Sequence, residues 1–499
     1  GPGSAAHRFT LRCARDTRQS FRMTPLWTIS DMAAAMRADK SGQLPDAISG
    51  ISIDSRSIGR GDAFFAIQGD ARDGHDFVDN ALKGGAGLAV VARDKRARFP
   101  ADAPLLIVDD VLEGLRDLAR AARARFKGQV IGVTGSVGKT STKEALRLAL
   151  GADGETHASA ASYNNHWGVP LSLARCPAAA KYAVFEIGMN HAGEITPLTQ
   201  MAKPHVAIIT TIEAVHLEYF GSLEKIADAK AEIFTGIVEG GAAVLNRDNE
   251  QYARLAAAAE AANVSRVATF GADPQADARL VLHALQADSS TVEAVIFGTP
   301  IAYKLGAPGR HIVMNSLAVL AAASLAGADL AVAALALGRL KAAAGRGARI
   351  PLGFPNGEAL LIDESYNANP ASTRAAIALL GQAAVGAQGR RIAVLGDMLE
   401  LGDLGPRLHA ELAEAIAANG IDLVYCAGPL MHALWQALPP GVRGGYAETA
   451  AALEPAVLGA IHAGDAIMVK ASNGSKMGPL VKAMERQFPR PSALAQAEG

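Results

Sequence analysis

A glycine-rich loop is the clearest chemical signal in the sequence. The run Thr134-Gly-Ser-Val-Gly-Lys-Thr-Ser141 follows an apolar strand candidate, residues 129–133, and precedes a helical stretch. Such a loop lets backbone N–H groups surround a phosphate, while its lysine reaches the terminal phosphates and the next hydroxyl holds Mg²⁺. The run therefore predicts an ATP site built from Thr134, Gly135, Ser136, Val137, Gly138, Lys139, Thr140 and Ser141.

The loop departs from the consensus phosphate-binding sequence at one position. The consensus has glycine five residues before Gly138, where this chain has Val133. A chance Gly-Lys-Thr turn is the alternative, but the strand–loop–helix context favours a nucleotide site. The loop alone does not separate a motor ATPase, a GTPase, a kinase and a ligase.

Other polar residues narrow the class of enzyme. The guanine-specific Asn-Lys-x-Asp motif is not in the sequence, and the nearest run is Asn246-Arg-Asp248. The next strand candidate ends in Glu186, where many motor ATPases would have an aspartate. His216 follows a further strand candidate, and Lys230 opens an apolar helical stretch. On residue type alone, Glu186 could be a solvated strand end, His216 a structural histidine and Lys230 a surface cation.

Composition and net charge indicate a globular protein of several domains. With 499 residues, of which 50% are hydrophobic and 19% charged, the chain suits about three globular domains. Its 48 basic and 49 acidic side chains give no net field that would attract nucleic acid or an anionic membrane in bulk. We therefore expect no nucleic-acid partner and only local anion sites.

Cysteine usage and the N-terminal residues predict a cytoplasmic protein. Cys13, Cys176 and Cys426 are widely spaced and contain no Cys-x-x-Cys pair, which fits a reduced cytosol. The Arg-rich residues before Met23 lack the apolar core of a signal peptide, and Met23 is a candidate natural start. Residues 316–338 carry only Asp329 as a charge. Their alanine content favours two packed helices, the second capped by Asp329, over membrane insertion.

The order of strands and helices predicts an α/β protein of three domains. These are a small N-terminal α/β module (23–109), a central P-loop domain with a parallel sheet (110–344) and a C-terminal Rossmann-like domain (345–499). Ligands in such sheets lie beyond the carboxyl ends of the strands, which is where Asp363, Asp397 and Lys470 fall. The main predicted strands are residues 51–53, 63–67, 129–133, 182–187, 206–211, 242–245, 360–363, 391–395, 422–425 and 465–469.

Seven motifs, in order along nearly the whole chain from Trp27 onward, resemble the Mur ligase family. This resemblance implies an ATP-dependent ligase that forms an amide bond through an acyl phosphate. Seven ordered matches are far more specific than one loop. The motifs are residues 133–142, Phe185-Glu-Ile-Gly-Met-Asn190, His216-Leu-Glu-Tyr-Phe-Gly221, Ala229-Lys-Ala-Glu-Ile-Phe234, Gly309-Arg-His-Ile-Val-Met-Asn315, Gly345-Arg-Gly347 and Asp363-Glu-Ser-Tyr-Asn-Ala-Asn-Pro370.

Three runs resemble the branch of the family that adds D-alanyl-D-alanine to a UDP-N-acetylmuramoyl tripeptide. They are Tyr163-Asn-Asn-His-Trp-Gly-Val-Pro170, Ser365-Tyr-Asn-Ala-Asn-Pro370 and Gly396-Asp-Met-Leu-Glu-Leu-Gly402. The Asp-Asn-Pro-Arg motif of the branch that adds the third amino acid is not in the sequence. The resemblance thus implies these two substrates and a place in peptidoglycan synthesis. We expect a monomer, although the sequence does not identify the oligomeric state.

The resemblance also implies two Mg²⁺ sites. Thr140 and Glu186 would hold one ion beside the phosphates, where Lys139 adds positive charge. His216 would hold a second ion that brings the substrate carboxylate to the γ-phosphate. Lys230 would lie beside that ion, and we expect its neutral amine to add CO₂ and become a carbamate ligand.

Further family positions imply contacts to the nucleotide and the substrates. Asn315 matches an adenine contact, although its residue type alone suggests a helix-face amide. Either Asp363 or Glu364 matches a ribose contact. Arg346, if it is not an exposed linker residue, would reach phosphate when two domains close. The implied substrate residues are Asn164, Asn165, Tyr366, Asn367 and Asn369, together with the UDP-sugar module Ser52, Asp54, Ser55 and Arg56, for which an ordinary turn is the alternative.

Three other functions stay open at this point. A folylpolyglutamate synthase would use the same centre on a different carboxylate, and a P-loop ATPase or GTPase would have no ligase activity. A catalytically silent nucleotide-sugar binding protein is the third alternative. The sequence identifies neither the third residue of the acceptor peptide, meso-diaminopimelate or lysine, nor the base that deprotonates the incoming amine.

Overall fold

The computed structural model of the protein describes residues 25–69, 72–215, 217–286, 288–342 and 345–490. His216, Cys13 and the candidate start Met23 lie outside these ranges. The chain divides into two compact units, residues 1–111 and 112–499. The second unit contains two separate sheets, and its division after residue 344 stays a prediction.

The first unit is a small α/β module, as the sequence predicts. Its helices and strands are β1 (Trp27–Thr28), α1 (Ile29–Met36), β2 (Asp39–Ser41), β3 (Ala47–Ile48), β4 (Ile51–Ser52), β5 (Ala63–Phe65), α2 (Val78–Lys83), β6 (Leu88–Ala92) and β7 (Leu105–Val108). The main sheet has the order β2-β7-β6-β5-β4, parallel except for β2. Strands β6 and β7 are apolar throughout because a parallel strand is buried on both faces.

The first sheet of the second unit contains the glycine-rich loop. Its elements are α3 (Val111–Arg125), β8 (Gln129–Thr134), α4 (Lys139–Gly151), β9 (Thr156–Ala158), α5 (Gly168–Ala174), β10 (Tyr182–Glu186), α6 (Ile195–Ala202), β11 (Val206–Ile209), α7 (Leu217–Phe220), α8 (Leu223–Ala231), β12 (Ala242–Asn246), α9 (Tyr252–Ala261), β13 (Arg266–Gly271), β14 (Ala278–Leu285), β15 (Ser290–Ile296), β16 (Thr299–Leu305), α10 (Arg310–Leu325) and α11 (Leu330–Leu337). The strand order is β16-β15-β14-β13-β12-β11-β8-β10-β9.

Helices cover both faces of this sheet, which confirms the doubly wound prediction. Along β8, Val130 belongs to one apolar core and Ile131 to the other, because successive side chains of a strand point to opposite faces. One core includes α4, α10 and α11, and the other includes α5, α6, α8 and α9. Strands β8, β10 and β11 are parallel neighbours, so their carboxyl ends lie side by side.

One edge of the sheet is antiparallel, which the sequence analysis did not predict. Strands β15 and β16 form a hairpin whose two loop residues, Phe297 and Gly298, have φ of 47° and 83°. Two positive φ values define the turn that matches the twist of a two-residue hairpin. Phenylalanine rarely adopts this conformation, so the usual Asn-Gly signal of such a turn was missing from the sequence.

The apolar stretch 316–338 is divided between two helices, as predicted. Helix α10 ends at Leu325 and α11 begins at Leu330, and the Asp329 side chain accepts a hydrogen bond from the Val332 backbone at 2.9 Å. Most side chains of α10 pack in the apolar core. Among the described residues, every helix is too short or too polar to span a bilayer.

The second sheet of this unit is Rossmann-like with one antiparallel edge. Its elements are β17 (Ala348–Phe354), β18 (Gly357–Glu364), α12 (Pro370–Gly381), β19 (Arg391–Gly396), α13 (Gly405–Ala410), α14 (Leu412–Ala418), β20 (Leu423–Ala427), α15 (Met431–Ala437), β21 (Arg443–Ala447), α16 (Ala450–Ala460), β22 (Ala466–Lys470) and α17 (Gly478–Gln487). The order is β17-β18-β22-β19-β20-β21, and only β17 is antiparallel. Two cores again lie on opposite faces.

Candidate active site

The glycine-rich loop joins the end of β8 to the start of α4. Gly135 and Gly138 have φ of 144° and 82°, a region that side chains disfavour. A Cβ at Gly135 would collide with the Thr210 hydroxyl, and one at Gly138 would lie 2.6 Å from the Asn315 amide nitrogen. Val133 is instead a buried strand residue. The variant loop thus has glycine at its two positive-φ positions and needs none at 133.

Lys139 lies across this loop. Its ammonium donates hydrogen bonds to the backbone oxygens of Gly135 at 2.8 Å and Ser136 at 3.3 Å. Burial lowers the pKa of Lys139, Glu186 opposes that shift and the positive charge of Arg346 adds to it. These influences connect the lysine electrostatically to residues of β10 and of the segment that leads into β17.

Thr140 and Glu186 meet at the carboxyl ends of β8 and β10. The Thr140 hydroxyl donates to Glu186 Oε2 at 2.9 Å, and the Asn164 amide donates to Glu186 Oε1 at 2.8 Å. Glu186 is 1% exposed, so the solvated alternative for it is wrong. The Ser162 hydroxyl lies 3.3 Å from that of Thr140. Carboxylate and hydroxyl oxygens are the hard donors that Mg²⁺ binds, so these residues fit the implied metal.

Lys230 is buried in helix α8. Only 2% of the residue is exposed, so the surface-cation alternative is wrong. Its pKa lies well below the ordinary value, because burial disfavours the ammonium and Lys139 adds positive charge nearby. This environment disfavours the charged ammonium relative to the neutral amine. His216 lies outside the described residues, so the geometry of the implied His216–Lys230 pair is not described.

A cleft between the two sheets of the second unit brings together other predicted residues. It is lined by Thr140, Ser141, His311, Arg346 and Glu364, among others. The Arg346 guanidinium donates to the Ser162 hydroxyl at 3.1 Å and lies 4.2 Å above the Tyr366 ring. Arg346 is therefore a partly buried residue at the cleft, and its exposed-linker alternative is wrong.

The two acidic residues at the end of β18 have different surroundings. Asp363 accepts backbone hydrogen bonds from Gly345 at 2.8 Å and Ser365 at 3.1 Å, and a third from the Ser365 hydroxyl at 2.6 Å. Glu364 lines the cleft and accepts one from Lys470 at 3.2 Å. The Asp363 carboxylate is thus occupied by its own turn, while that of Glu364 faces the cleft.

Several predicted substrate residues make local contacts. Asn165 accepts from the Gly168 backbone at 2.9 Å, and Asn369 caps helix α12 by accepting from the Ser372 backbone at 2.9 Å. Asn367 is exposed, and its backbone oxygen accepts from Lys470 at 3.0 Å. These contacts shape the loops around the cleft.

In the first unit, the run from Ser52 to Arg56 forms a closed turn. Asp54 accepts from the Arg56 backbone at 3.0 Å and from its guanidinium at 2.7 and 2.9 Å. The guanidinium hydrogen bond is the main reason that the pKa of Asp54 is lowered to about 2. Ser52 is buried and bonds to the Asp54 backbone, and Ser55 begins the short 3-10 turn Ser55–Ser57.

Three residues near the site were not selected from the sequence. His311 lines the cleft, Ser162 touches Thr140, and the fully buried Lys143 lies one helical turn after Lys139. The i, i+4 spacing from Lys139 was a usable signal for Lys143, because it places both side chains on one face of a helix. Ser162 directly precedes the run 163–170, which carries part of the family resemblance.

Known protein families match most of the chain. The Mur ligase family catalytic domain matches residues 47–123, the Mur ligase middle domain residues 133–323 and the Mur ligase glutamate ligase domain residues 353–473. These three matches follow one another along the chain in the order of the predicted domains.

Full-length relatives and solved structures agree with these matches. The UDP-N-acetylmuramoyl-tripeptide–D-alanyl-D-alanine ligase of Escherichia coli is 35% identical, over 89% of this chain and 96% of the relative. That of Rickettsia prowazekii is 32% identical, over 86% and 94%. MurF from Acinetobacter baumannii superposes with a TM-score of 0.78 at 29% identity, over 93% of this chain and 99% of that one.

A second similar structure is a nucleotide complex. MurF ligase from Thermotoga maritima in complex with ADP has a TM-score of 0.71 at 27% identity, covering 88% of this chain and 97% of that one. Both the relatives and the structures therefore correspond to this chain over nearly their whole lengths. The chain belongs to the Mur ligase family, in the branch of the UDP-N-acetylmuramoyl-tripeptide–D-alanyl-D-alanine ligases.

Proposed function

We propose that the protein joins the terminal carboxylate of a UDP-N-acetylmuramoyl tripeptide to the amino group of D-alanyl-D-alanine. ATP is consumed, and the product is a peptidoglycan precursor made in the cytoplasm. The observation that carries the proposal is the buried Thr140–Glu186 pair beside Lys139, in a chain whose ligase relatives match it along nearly its whole length.

The chemistry requires that the carboxylate be activated. A carboxylate is a poor electrophile, so one of its oxygens first attacks the γ-phosphorus of ATP and displaces ADP. The resulting acyl phosphate has a good leaving group. The amine nitrogen then attacks the carbonyl carbon, loses a proton and expels phosphate, which leaves the amide. Negative charge accumulates in the first step, so the site must supply positive groups.

The loop and its lysine suit the phosphates. Backbone N–H groups around Gly135 and Gly138 can surround them, and the Lys139 ammonium can turn from its backbone acceptors to the terminal phosphate. Thr140 and Glu186 would hold Mg²⁺, which when bound screens the charge between the β- and γ-phosphates. Their contact at 2.9 Å supports this assignment, since both oxygens already face one point.

Lys230 suits a second role near a metal. Its burial and lowered pKa support a neutral amine, whose nitrogen can bond to the carbon of CO₂ and release a proton. The carbamate so formed has the oxygen donors that a second Mg²⁺ prefers. His216 would be the other protein ligand.

The cleft residues suit the rest of the nucleotide. Glu364, not Asp363, is our candidate for the ribose hydroxyls, because the Asp363 oxygens already accept three hydrogen bonds. Asn315 would contact adenine from helix α10. Arg346 would approach the terminal phosphate, from a position where its charge already lowers the pKa of Lys139. In the first unit, the exposed Arg56 guanidinium suits the diphosphate of the UDP-sugar.

The test is release of ADP across a panel of acceptors and amines. We expect ADP release over many turnovers only when a UDP-N-acetylmuramoyl tripeptide, D-alanyl-D-alanine and Mg²⁺ are all present, because the amine must consume the acyl phosphate before the next cycle. Tripeptides ending in meso-diaminopimelate and in lysine would show which acceptor is used. Continued ADP release in the absence of both substrates would point to a simple ATPase, and turnover of a folate with glutamate would point to a folylpolyglutamate synthase. Either result would overturn the proposal.

A further inference from the structure

Lys143 is a buried cation to which the reaction above assigns no task. It lies on helix α4, one turn after Lys139, and its side chain is fully buried. The ammonium donates to the backbone oxygens of Ser159 at 2.8 Å and Ala161 at 2.7 Å, and pairs with Glu144 at 2.8 Å. All three bonds of this ammonium are thus accounted for, two of them by one short loop.

The loop that Lys143 holds, residues 159–165, has an unusual backbone. Ala161 has φ of 44°, in the left-handed region that non-glycine residues rarely occupy. This conformation curls the loop so that the carbonyls of Ser159 and Ala161 both reach the same nitrogen. A strained residue persists only where surrounding contacts fix it, and such residues are concentrated at functional sites. The Lys143 ammonium contacts this residue directly, through the Ala161 backbone oxygen.

The same loop carries the two side chains that touch the oxygen donors of the implied metal site. The Ser162 hydroxyl lies 3.3 Å from the Thr140 hydroxyl, and the Asn164 amide donates to Glu186 at 2.8 Å. The Asn164 backbone oxygen also accepts from Gly188 at 2.8 Å, which ties the loop to the segment after β10. The loop therefore contacts both donors, one through each side chain.

We propose that Lys143 is a positioning residue for Mg²⁺–nucleotide binding, because it fixes the loop whose Ser162 and Asn164 orient Thr140 and Glu186. The inference rests on the proposed function only in taking Thr140 and Glu186 as the metal ligands. Residues that hydrogen-bond to a metal-binding side chain, without touching the metal, typically change metal affinity by about 10- to 100-fold when they are removed. Lys143 does not contact these metal-binding side chains itself and acts on them through the 159–165 loop.

A purely structural role for Lys143 makes a different prediction. A buried lysine that only fills space would destabilise the whole domain when replaced, and nucleotide affinity would fall equally with and without Mg²⁺. A positioning role acts on the metal ligands alone. Metal-free nucleotide would be held by the backbone of the glycine-rich loop and by the Lys139 ammonium, whose hydrogen bonds go to Gly135 and Ser136 rather than to residues 159–165.

The experiment is calorimetric binding of adenylyl imidodiphosphate, a non-hydrolysable ATP analogue, to the full chain in excess Mg²⁺ and in EDTA. For Lys143→Met we expect Kd in Mg²⁺ to rise about tenfold and Kd in EDTA to change by less than about twofold. Lys181→Met is the matched control, because it removes a lysine that pairs with Asp153 on the same domain. It should leave both constants unchanged.

A second variant, Asn164→Ala, protects the test against misfolding of Lys143→Met. It keeps the lysine and removes the side chain that donates to Glu186, so it should show the same Mg²⁺-specific loss. Ser162 is left in place because its hydroxyl also accepts from Arg346. Equal weakening in both buffers, or no weakening in Mg²⁺, overturns the inference for either variant. Failure of the proposed function would look different, since the wild type would then release no ADP with the ligase substrates while still binding Mg²⁺–nucleotide.

Discussion

The two sheets of the second unit differ in what holds the acidic residues at their strand ends. In the first sheet, Glu186 accepts from the side chains of Thr140 and Asn164. In the second, Asp363 accepts from two backbone N–H groups and a serine, and Asp397 from the Met431 backbone at 2.9 Å. Side-chain donors can rotate away for a ligand, whereas backbone donors cannot.

This difference separates the carboxylates that can bind a ligand from those that shape a turn. Both kinds lie where a parallel sheet is expected to bind ligands. Location at a strand end therefore predicts a polar network, and the type of donor decides whether the carboxylate is available. Glu364 is the exception in the second sheet, because it accepts a hydrogen bond from the side chain of Lys470 at 3.2 Å.

The largest expected effect is at Lys139. Lys139→Ala should lower kcat for ADP release by about three orders of magnitude, because the cation that opposes charge on the transferred phosphoryl group is lost. The melting temperature should stay close to that of the wild type, since the ammonium bonds only to its own loop. A near-normal kcat for Lys139→Ala would contradict the assignment of phosphate binding to the glycine-rich loop of the first sheet.

Lys230→Ala should be the next most damaging change. We expect a loss of about 100-fold in kcat, because a metal-ligand position becomes empty. Acetate or formate should restore part of the activity by supplying carboxylate oxygens there. Sodium chloride at the same concentration is the control, and Lys139→Ala should not respond to either acid. Wild-type activity without added acid would contradict the carbamate role.

A matched pair at the end of β18 sharpens the comparison of donors. Glu364→Gln should raise KM for ATP by about tenfold, which corresponds to one lost hydrogen bond to a charged group. Asp363→Asn should instead lower the melting temperature, because its carboxylate closes the turn around Gly345 and Ser365. If Asp363→Asn raised KM for ATP and Glu364→Gln lowered the melting temperature, Asp363 would be the ribose residue.

The smallest expected effect is a pH dependence at Asp397. Burial raises the pKa of this carboxyl, so the folded state disfavours its ionised form. The free energy of unfolding should therefore fall as pH rises through the window between the ordinary and the raised pKa. Chemical denaturation of Asp397→Asn and wild type at several pH values should show the variant gaining relative stability across that window. If the stability of Asp397→Asn relative to wild type instead rose toward acid pH, the sign would be reversed and this explanation excluded.

Much of the fold could be predicted from the sequence because its strands are continuous apolar runs. Every predicted strand from 129–133 to 465–469 overlaps an observed one, and the Asp329 cap was found because a capping side chain precedes an apolar helix. The β15–β16 hairpin was missed because its turn uses Phe297. Strand β21 was missed because two glycines in Arg443–Ala447 weaken its apolar pattern.

The candidate site was only partly predictable for a different reason. Motif spacing placed Lys139 and Thr140 just after one predicted strand and Glu186 at the end of the next, and the ends of parallel strands share one edge of the sheet. Spacing could not reveal that the Asp363 oxygens are occupied, since hydrogen bonds to a turn depend on backbone direction. Nor could it connect Lys143 to Ser159 and Ala161, whose carbonyls meet the ammonium only because of a left-handed residue.

The central claim is that the substrate carboxylate is phosphorylated at this site before the amide forms. The most direct measurement uses a UDP-N-acetylmuramoyl tripeptide with ¹⁸O in both oxygens of its terminal carboxylate, together with ATP, Mg²⁺ and D-alanyl-D-alanine. An attacking carboxylate oxygen stays on phosphorus when the amine expels the phosphate. We therefore predict one ¹⁸O in every released phosphate by mass spectrometry. Phosphate without ¹⁸O, formed while amide accumulates, would contradict the account.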